Sequence, residues 1–230
     1  MLGRSPVHLR PTAPLAERAL LPGDPGRALA LAQALLSQPR MFNHHRGLWG
    51  YTGQAPDGEP LTIQATGMGG PSAAIVLTEL IALGVRSAVR VGTCGALAPG
   101  LELGELVVAK EAICADGTSR ALGAGERIAA DRLLTRALLR HAPGAREGAV
   151  VSVDLFYDDG RPPQAQDALA VEMEAATLFA VGNAASVPVA CVLTVSDTFD
   201  ADGTRRRIDD AVLLESAERM GGAAIAALCS

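Results

Sequence analysis

Lysine is almost missing from this chain: of its 20 basic residues only Lys110 is a lysine, and the rest are arginine. Aromatic residues are scarce as well, at 3% of 230 positions. With so few aromatics, an aromatic-rich β-sandwich is excluded, and with no basic stripe carrying interleaved aromatics, so is a nucleic-acid partner. No apolar run approaches the roughly 18 residues of a membrane span, and positions 1–14 hold prolines and arginines but no apolar signal core. The expectation is a cytoplasmic protein with no membrane partner. Cys94, Cys114, Cys191 and Cys229 form no CxxC pair and lie mostly in apolar runs, as free thiols of a reducing compartment do. Among the four histidines only His44 and His45 adjoin, without metal-ligand spacing, and no Gly-x-Ser-x-Gly elbow exists. Metal catalysis and a serine triad are set aside.

What is plentiful is Ala, Leu and Val. Hydrophobic residues make up 49% of the chain, enough to bury one large core, and no linker, repeat or low-complexity block divides it. Residues 1–230 therefore read as a single domain. A short strand runs into Pro22-Gly-Asp-Pro-Gly-Arg27, followed by a helix over Ala28 to Leu36. Strands at Leu48 to Gly53 and Leu61 to Thr66 flank the Pro56-Asp57-Gly58 hairpin signal. A helix follows over Ser72 to Leu83, then strands at Ser87 to Val91, Leu106 to Ala109 and Glu111 to Ala115. Helices at Ile128 to Leu139 and Met173 to Val181, strands at Ala149 to Val153 and Pro188 to Ser196, and a helix from Asp209 to Leu228 complete the reading. The alternation specifies an α/β fold.

Gly67-x-Gly69-x-x-Ser72 mimics a dinucleotide fingerprint, but the next strand ends Val89-Arg-Val-Gly-Thr93 without the carboxylate that would hold a ribose. Close packing of small residues explains it better. Arginine is what the chain places at strand ends: Arg27, Arg46 and, between Val89 and Val91, Arg90. A buried guanidinium needs an anion, either a ligand or an internal carboxylate such as Glu79, Glu174 or Asp197, and spacing does not separate these. Gly23 permits close backbone approach, and Gly92-Thr93 offers N–H groups and a hydroxyl; with no Gly-Lys-Ser/Thr present, a free phosphate suits them better than a triphosphate. Val171-Glu-Met-Glu-Ala-Ala176 sets two carboxylates at a helix start, where dipole stabilisation accounts for one and a diol contact for the other. Asp197 closes a buried strand, as a turn cap or a ligand group.

Seven segments, in order, carry a resemblance: Leu21 to Arg27, Asn43-His-His-Arg-Gly-Leu-Trp-Gly-Tyr-Thr-Gly53, Thr66 to Ser72, Arg90-Val-Gly-Thr-Cys-Gly95, Asp154-Leu-Phe-Tyr157, Val171 to Ala176 and Val195-Ser-Asp197. The chain resembles the bacterial hexameric purine nucleoside phosphorylases. That resemblance implies a single domain with a central mixed, twisted sheet flanked by helices. It also implies phosphorolysis of purine (deoxy)ribonucleosides without metal or organic cofactor, inorganic phosphate being the co-substrate. By resemblance Gly23, Arg27, Arg90 and Thr93 bind phosphate, with Arg46 supplied across a dimer interface. Met68, Met173 and Glu174 hold the ribose, and His8 of a neighbouring subunit reaches its 5′-hydroxyl. Cys94, Gly95, Phe156, Val171, Glu172 and Ser196 line the base pocket, and Asp197 is the general acid at N7. A homo-oligomer, a hexamer built as a trimer of dimers, is implied.

An aspartate titrates near pH 4, so proton donation at neutral pH needs desolvation that raises its pKa or a closure that supplies the proton in the complex, and the resemblance implies a closing arginine for this role. Arg205, Arg206 and Arg207 compete for that part, and Arg207 is the choice. The segments 158–170 and 198–207 are shorter than the family pattern. Uridine phosphorylases carry a Gln-x-Arg pair that is absent after Phe156, and related nucleosidases have no use for three phosphate-binding arginines.

Overall fold

The structure, a computed structural model, describes residues 5–157, 167–200 and 203–230. It begins with β1 (Arg18–Leu21), α1 (Pro25–Leu35), β2 (Ser37–Asn43), β3 (Gly50–Gln54), β4 (Pro60–Gln64) and α2 (Gly70–Leu83). Then come β5 (Ser87–Ala96), β6 (Leu106–Cys114), α3 (Gly117–Ala121), β7 (Arg127–Ala129), α4 (Arg132–His141) and β8 (Arg146–Ser152). The chain closes with β9 (Ala168–Glu172), α5 (Ala175–Ala185), β10 (Val189–Phe199), β11 (Arg205–Arg207) and α6 (Asp210–Leu228).

Among the described residues, eleven strands join one mixed sheet. β5 lies parallel to both β1 and β10, while β10 is antiparallel to β6, and β6, β8 and β9 run parallel before β9 returns antiparallel to β5. Half of the sheet therefore closes into a ring of β5, β10, β6, β8 and β9. Such strands are covered on both faces, which is why β10 reads as an unbroken apolar run and is buried from Val189 to Asp197. One core packs α2 and α5 against the sheet around Leu77, Leu80, Leu178 and Phe179; the other packs α1, α4 and α6 around Leu31, Leu138 and Met220.

The expected α/β architecture and the hairpin are present, with three corrections. The helix expected from Ile128 is a strand over Arg127–Ala129 paired with β6, and α4 starts only at Arg132, behind an Asp131 cap that accepts from the Leu134 N–H. The expected strands Leu106 to Ala109 and Glu111 to Ala115 are one strand. Lys110 is an extra residue in the β6–β8 register, a bulge that looks like a break in the sequence. The carboxylates expected at one helix start are split: Glu172 ends β9, and Glu174 stands just before the first residue of α5 without capping it by its side chain.

Gly182 shows how tightly α5 meets β10. A Cβ there would stand 2.5 Å from Val189 Cγ2 and 2.8 Å from the Val187 carbonyl oxygen, whereas one at Gly222 on α6 meets nothing within 4 Å. Gly182→Ala is expected to destabilise the protein by about 1–3 kcal/mol, and Gly222→Ala to stabilise it by about 0.5–1 kcal/mol. Urea midpoints moving in opposite directions check both.

Candidate active site

The predicted residues meet where parallel strands end. β1 pairs with β5 as far as Leu21 opposite Arg90, and β9 joins the same edge of β5 only from Val171 opposite Gly95. Between them Val91–Cys94 have no ladder partner on that edge, which opens a crevice at the carboxyl ends of the strands. The N–H groups expected at Gly92 and Thr93 belong to this gap. They lie within β5 rather than beyond it, because the strand continues to Ala96.

Arg90 lies at the crevice floor, 3% exposed. Its Nε donates to Glu172 Oε2 at 3.0 Å and its Nη2 to Glu174 Oε2. Of the carboxylates weighed from the sequence, Glu174 is a partner, while Glu79 and Asp197 serve His8 and Arg205 instead. Glu172 is the partner the sequence reading missed, because β9 was read as part of the helix start. Burial works against the Arg90 charge, but Glu174 and Glu172 more than offset it and its pKa is raised. The guanidinium lies over Gly92, where a Cβ would come within 2.8 Å of Nη2, so a side chain at 92 would push it aside.

Both carboxylates also organise backbone. Glu172 accepts from the N–H groups of Glu174 and Ala175 and from the Ser152 hydroxyl, so its carboxylate caps α5 and is saturated inside the protein. This is the job the structure gives the residue expected at the base. Burial and the neighbouring Glu174 raise the Glu172 pKa despite Arg90. Glu174 Oε1 accepts from the Gly69 N–H, tying the Met68 loop to α5. Two of its lone-pair positions are thereby used and two remain. Met173 is partly buried beside it and Met68, at 85%, is the more exposed.

One donor of Arg90 is left over. Nη1 is buried without a partner; among the described residues the other such atom, Gln64 Oε1, lies against Gly50 in the β3–β4 hairpin. An orphaned guanidinium N–H costs free energy until an acceptor arrives. Arg27, in the first turn of α1, is partly buried, and among the described residues it has no carboxylate within ion-pair distance. Burial lowers its pKa, Asp24 opposes this, and the charges of Arg90 and Arg207 lower it further. Arg90 and Arg207 thus both repel Arg27 across a gap that an oxyanion would fill. The β1–α1 loop reaches the next loop at Gly23, where a Cβ would sit 3.4 Å from the Gly67 oxygen. Thr93 is partly buried in the crevice.

At the other end, Ser196 is an extra residue in the β10–β5 register, and this bulge brings Asp197 opposite Gly95. Asp197 is 6% exposed. Its carboxylate takes the Ser196 hydroxyl at 2.6 Å, Arg205 Nε at 2.8 Å and Arg207 Nη1 at 3.5 Å. The expected choice of Arg207 is therefore incomplete, since Arg205 stands closer. Antiparallel pairing sets Arg207 opposite Asp197 and Arg205 opposite Phe199, so alternation puts both on one face and sends Arg206 to Asp200. The Arg205 guanidinium also stacks 4.6 Å from the Phe156 centroid, and Phe156 is 52% exposed. Phe199, not singled out from the sequence, lies with Val171 against Gly95. Cys94 is buried and turned to the Thr194 carbonyl. The rim over 158–164 lies outside the described residues, as do positions 201 and 202 of the second shortened segment.

His8 and Arg46 are not in this crevice cluster's contacts. Arg46 is exposed in a turn over His45–Gly47 with φ 58°, a left-handed conformation held by the buried Asn43, whose side chain bonds the Leu48 and His45 carbonyls. Among the described residues no group of acidic, His and Cys side chains could hold a metal, and no helix is long and apolar enough to cross a membrane. Cys94, Cys114, Cys191 and Cys229 are all unpaired.

Comparison with known proteins places this geometry. The family model of the phosphorylase superfamily matches residues 17–229. The chain is 37% identical over 202 residues to a DeoD-type purine nucleoside phosphorylase of Geobacillus kaustophilus (strain HTA426), covering 83% of this chain and 85% of the relative. It is 36% identical over 195 residues to another from Clostridium novyi (strain NT), covering 80% and 83%. A uridine phosphorylase of Thermococcus kodakarensis (strain ATCC BAA-918 / JCM 12380 / KOD1) is 37% identical over 203 residues, covering 79% and 73%. With the match running nearly the full length and the crevice at its expected strand ends, the chain belongs to the phosphorylase superfamily.

Proposed function

We propose that the protein cleaves purine ribonucleosides and deoxyribonucleosides with inorganic phosphate, releasing free base and pentose 1-phosphate, with no metal or organic cofactor. The observation that carries this reading is the orphaned Nη1 of buried Arg90 beside the unpaired Arg27, a cationic gap built for an oxyanion. Arg27, Arg90 and Thr93 hold phosphate against the Gly23 loop. Glu174 uses its remaining lone pairs to accept from the ribose hydroxyls, with Met68 and Met173 against the sugar. The base lies over Gly95 and Val171 beside Phe156, Cys94 and Ser196. As the C1′–N9 bond breaks, its electron pair leaves with the base, a phosphate oxygen bonds C1′, and Asp197, carrying a proton in the complex, gives it to N7 and is left as the carboxylate that Arg205 and Arg207 hold. The positive charge on the sugar faces phosphate and the negative charge on the base meets an acid.

Two arginines divide the ends. Arg207 repels Arg27 and touches Asp197, so it links phosphate to the acid; Arg205 stacks on Phe156 and holds the same carboxylate, so it links the base to it. His8 and Arg46 complete the site of a second copy. Exposed Val7, Met41, Trp49 and Ile75 surround the turn and arm that carry them, which favours a dimer contact there and, by the family's pattern, a hexamer in the cytoplasm.

Base release from inosine, adenosine, guanosine and uridine, each with and without phosphate, tests the reading. Phosphate-dependent purine cleavage supports it; uridine cleavage or phosphate-independent release overturns it. Asp197→Asn is expected to lower kcat by about 10²–10⁴-fold while the phosphate Kd moves less than about twofold, since an amide leaves the cationic gap untouched. Arg27→Ala should raise the phosphate KM by about ten- to a hundredfold, the worth of a charge-assisted hydrogen bond. It should not lower Tm, because it removes a repelled charge, and calorimetry beside the kinetics checks both.

A further inference from the structure

The segment before β1 is pinned by a residue that the proposed chemistry does not use. Glu79, on the third turn of α2, has a side chain only 13% exposed. Its carboxylate collects the backbone N–H groups of Val7, His8 and Leu9, at 3.0, 3.0 and 2.7 Å, and His8 Nδ1 at 2.7 Å. The His8 carbonyl meets His45 Nδ1 at 2.9 Å, and the Arg10 N–H donates to Asn43 Oδ1. The strap, anchored further on by buried Leu9 and by the Thr12 N–H on the Phe42 carbonyl, is thus fixed through its histidine from both sides. Burial works to raise the Glu79 pKa, but His8 and the three backbone donors outweigh it and hold the group low, so the acceptor stays ionised.

We propose that Glu79 is a positioning residue that fixes the His8 ring with its hydrogen on Nδ1 and Nε2 directed outward, and so makes the site select nucleosides that bear a 5′-hydroxyl. This rests on the reading above, in which His8 faces the 5′ end of a nucleoside bound by a second copy. A carboxylate can only accept, so Nδ1 must carry the hydrogen it shares with Glu79. In the neutral ring Nε2 is then a lone-pair acceptor. A 5′-hydroxyl can donate to it, whereas a 5′-deoxy or 5′-alkylthio carbon offers no donor and leaves Nε2 without its partner.

The test compares kcat/KM for inosine and 5′-deoxyinosine in the parent, Glu79→Ala, His8→Ala and the double variant. The parent is expected to favour inosine about tenfold, the worth of one ordinary hydrogen bond. Both single variants should bring the ratio close to one, and the double variant should go no further. A Glu79→Ala enzyme that keeps the parental ratio overturns the role of Glu79 and leaves the phosphorylase reading standing. A parent that cleaves neither nucleoside overturns that reading and the selectivity with it. Nitrogen-15 NMR of the parental His8 ring needs no variant and no substrate. A hydrogen on Nδ1 is expected, and a neutral ring protonated on Nε2 instead would overturn the proposal even if the variants failed to fold.

Discussion

A buried guanidinium is the constraint around which this protein is arranged. Removing an arginine from water costs several kcal/mol even after relaxation, and Arg90 sits on a central strand, almost fully buried. Its neighbours follow from that burden. Gly92 is bare so that the guanidinium can lie along β5; Glu172 and Glu174 both pair with it. Those carboxylates in turn end β9, cap α5 and tie down the Met68–Gly69 loop. One ion network thereby sets the relative positions of four elements that line the crevice, and the specificity of its geometry follows from every partner but one being satisfied.

The unsatisfied partner explains why two carboxylates do not cancel the site's attraction for anions. They occupy Nε and Nη2 and leave Nη1 for something else. Arg27 adds charge and, among the described residues, has no carboxylate within ion-pair distance, so positive charge stands near the free donor of Arg90. A hydroxyl-bearing ligand beside Glu174 and an oxyanion beside Arg27 would each meet the half of the network suited to it.

The parts of this plan that reach the sequence are those with local signatures. Arginine between two valines is anomalous in any buried strand, and Gly-rich turns after strands mark the crevice mouth, so Arg90, Arg27 and the Gly67–Ser72 loop stand out unaided. Glu172 does not, because the short β9 is indistinguishable by pattern from the approach to α5. β2 is silent for another reason: from Ser37 to Met41 it is exposed and lacks alternation, and only pairing with β3 makes it a strand. The choice among Arg205, Arg206 and Arg207 depends on the register of β11 against β10, which no run of three identical residues can reveal. Family motifs named the regions correctly where pattern alone was silent, but they did not assign those contacts.

The site is uneven in how firmly it is built, and the unevenness has a physical logic. Its phosphate end, on the proposed reading, rests on central strands and on an ion network with one free donor, all within one chain. Its sugar-5′ end, on the proposed reading, comes from a strap and a left-handed turn at the surface. The strap puts Leu9 into the core, and each segment is gathered further by one polar side chain, Glu79 for the strap and Asn43 for the turn. A single carboxylate or amide gathering several backbone donors and acceptors can order a surface segment at little cost in packing, because the backbone groups need partners anyway. Chemistry that demands fixed charge is placed where the fold is rigid, and discrimination at the substrate's edge is placed where a few hydrogen bonds decide the geometry. A change at Glu79 or Asn43 therefore reaches selectivity without passing through the ion network of Arg90.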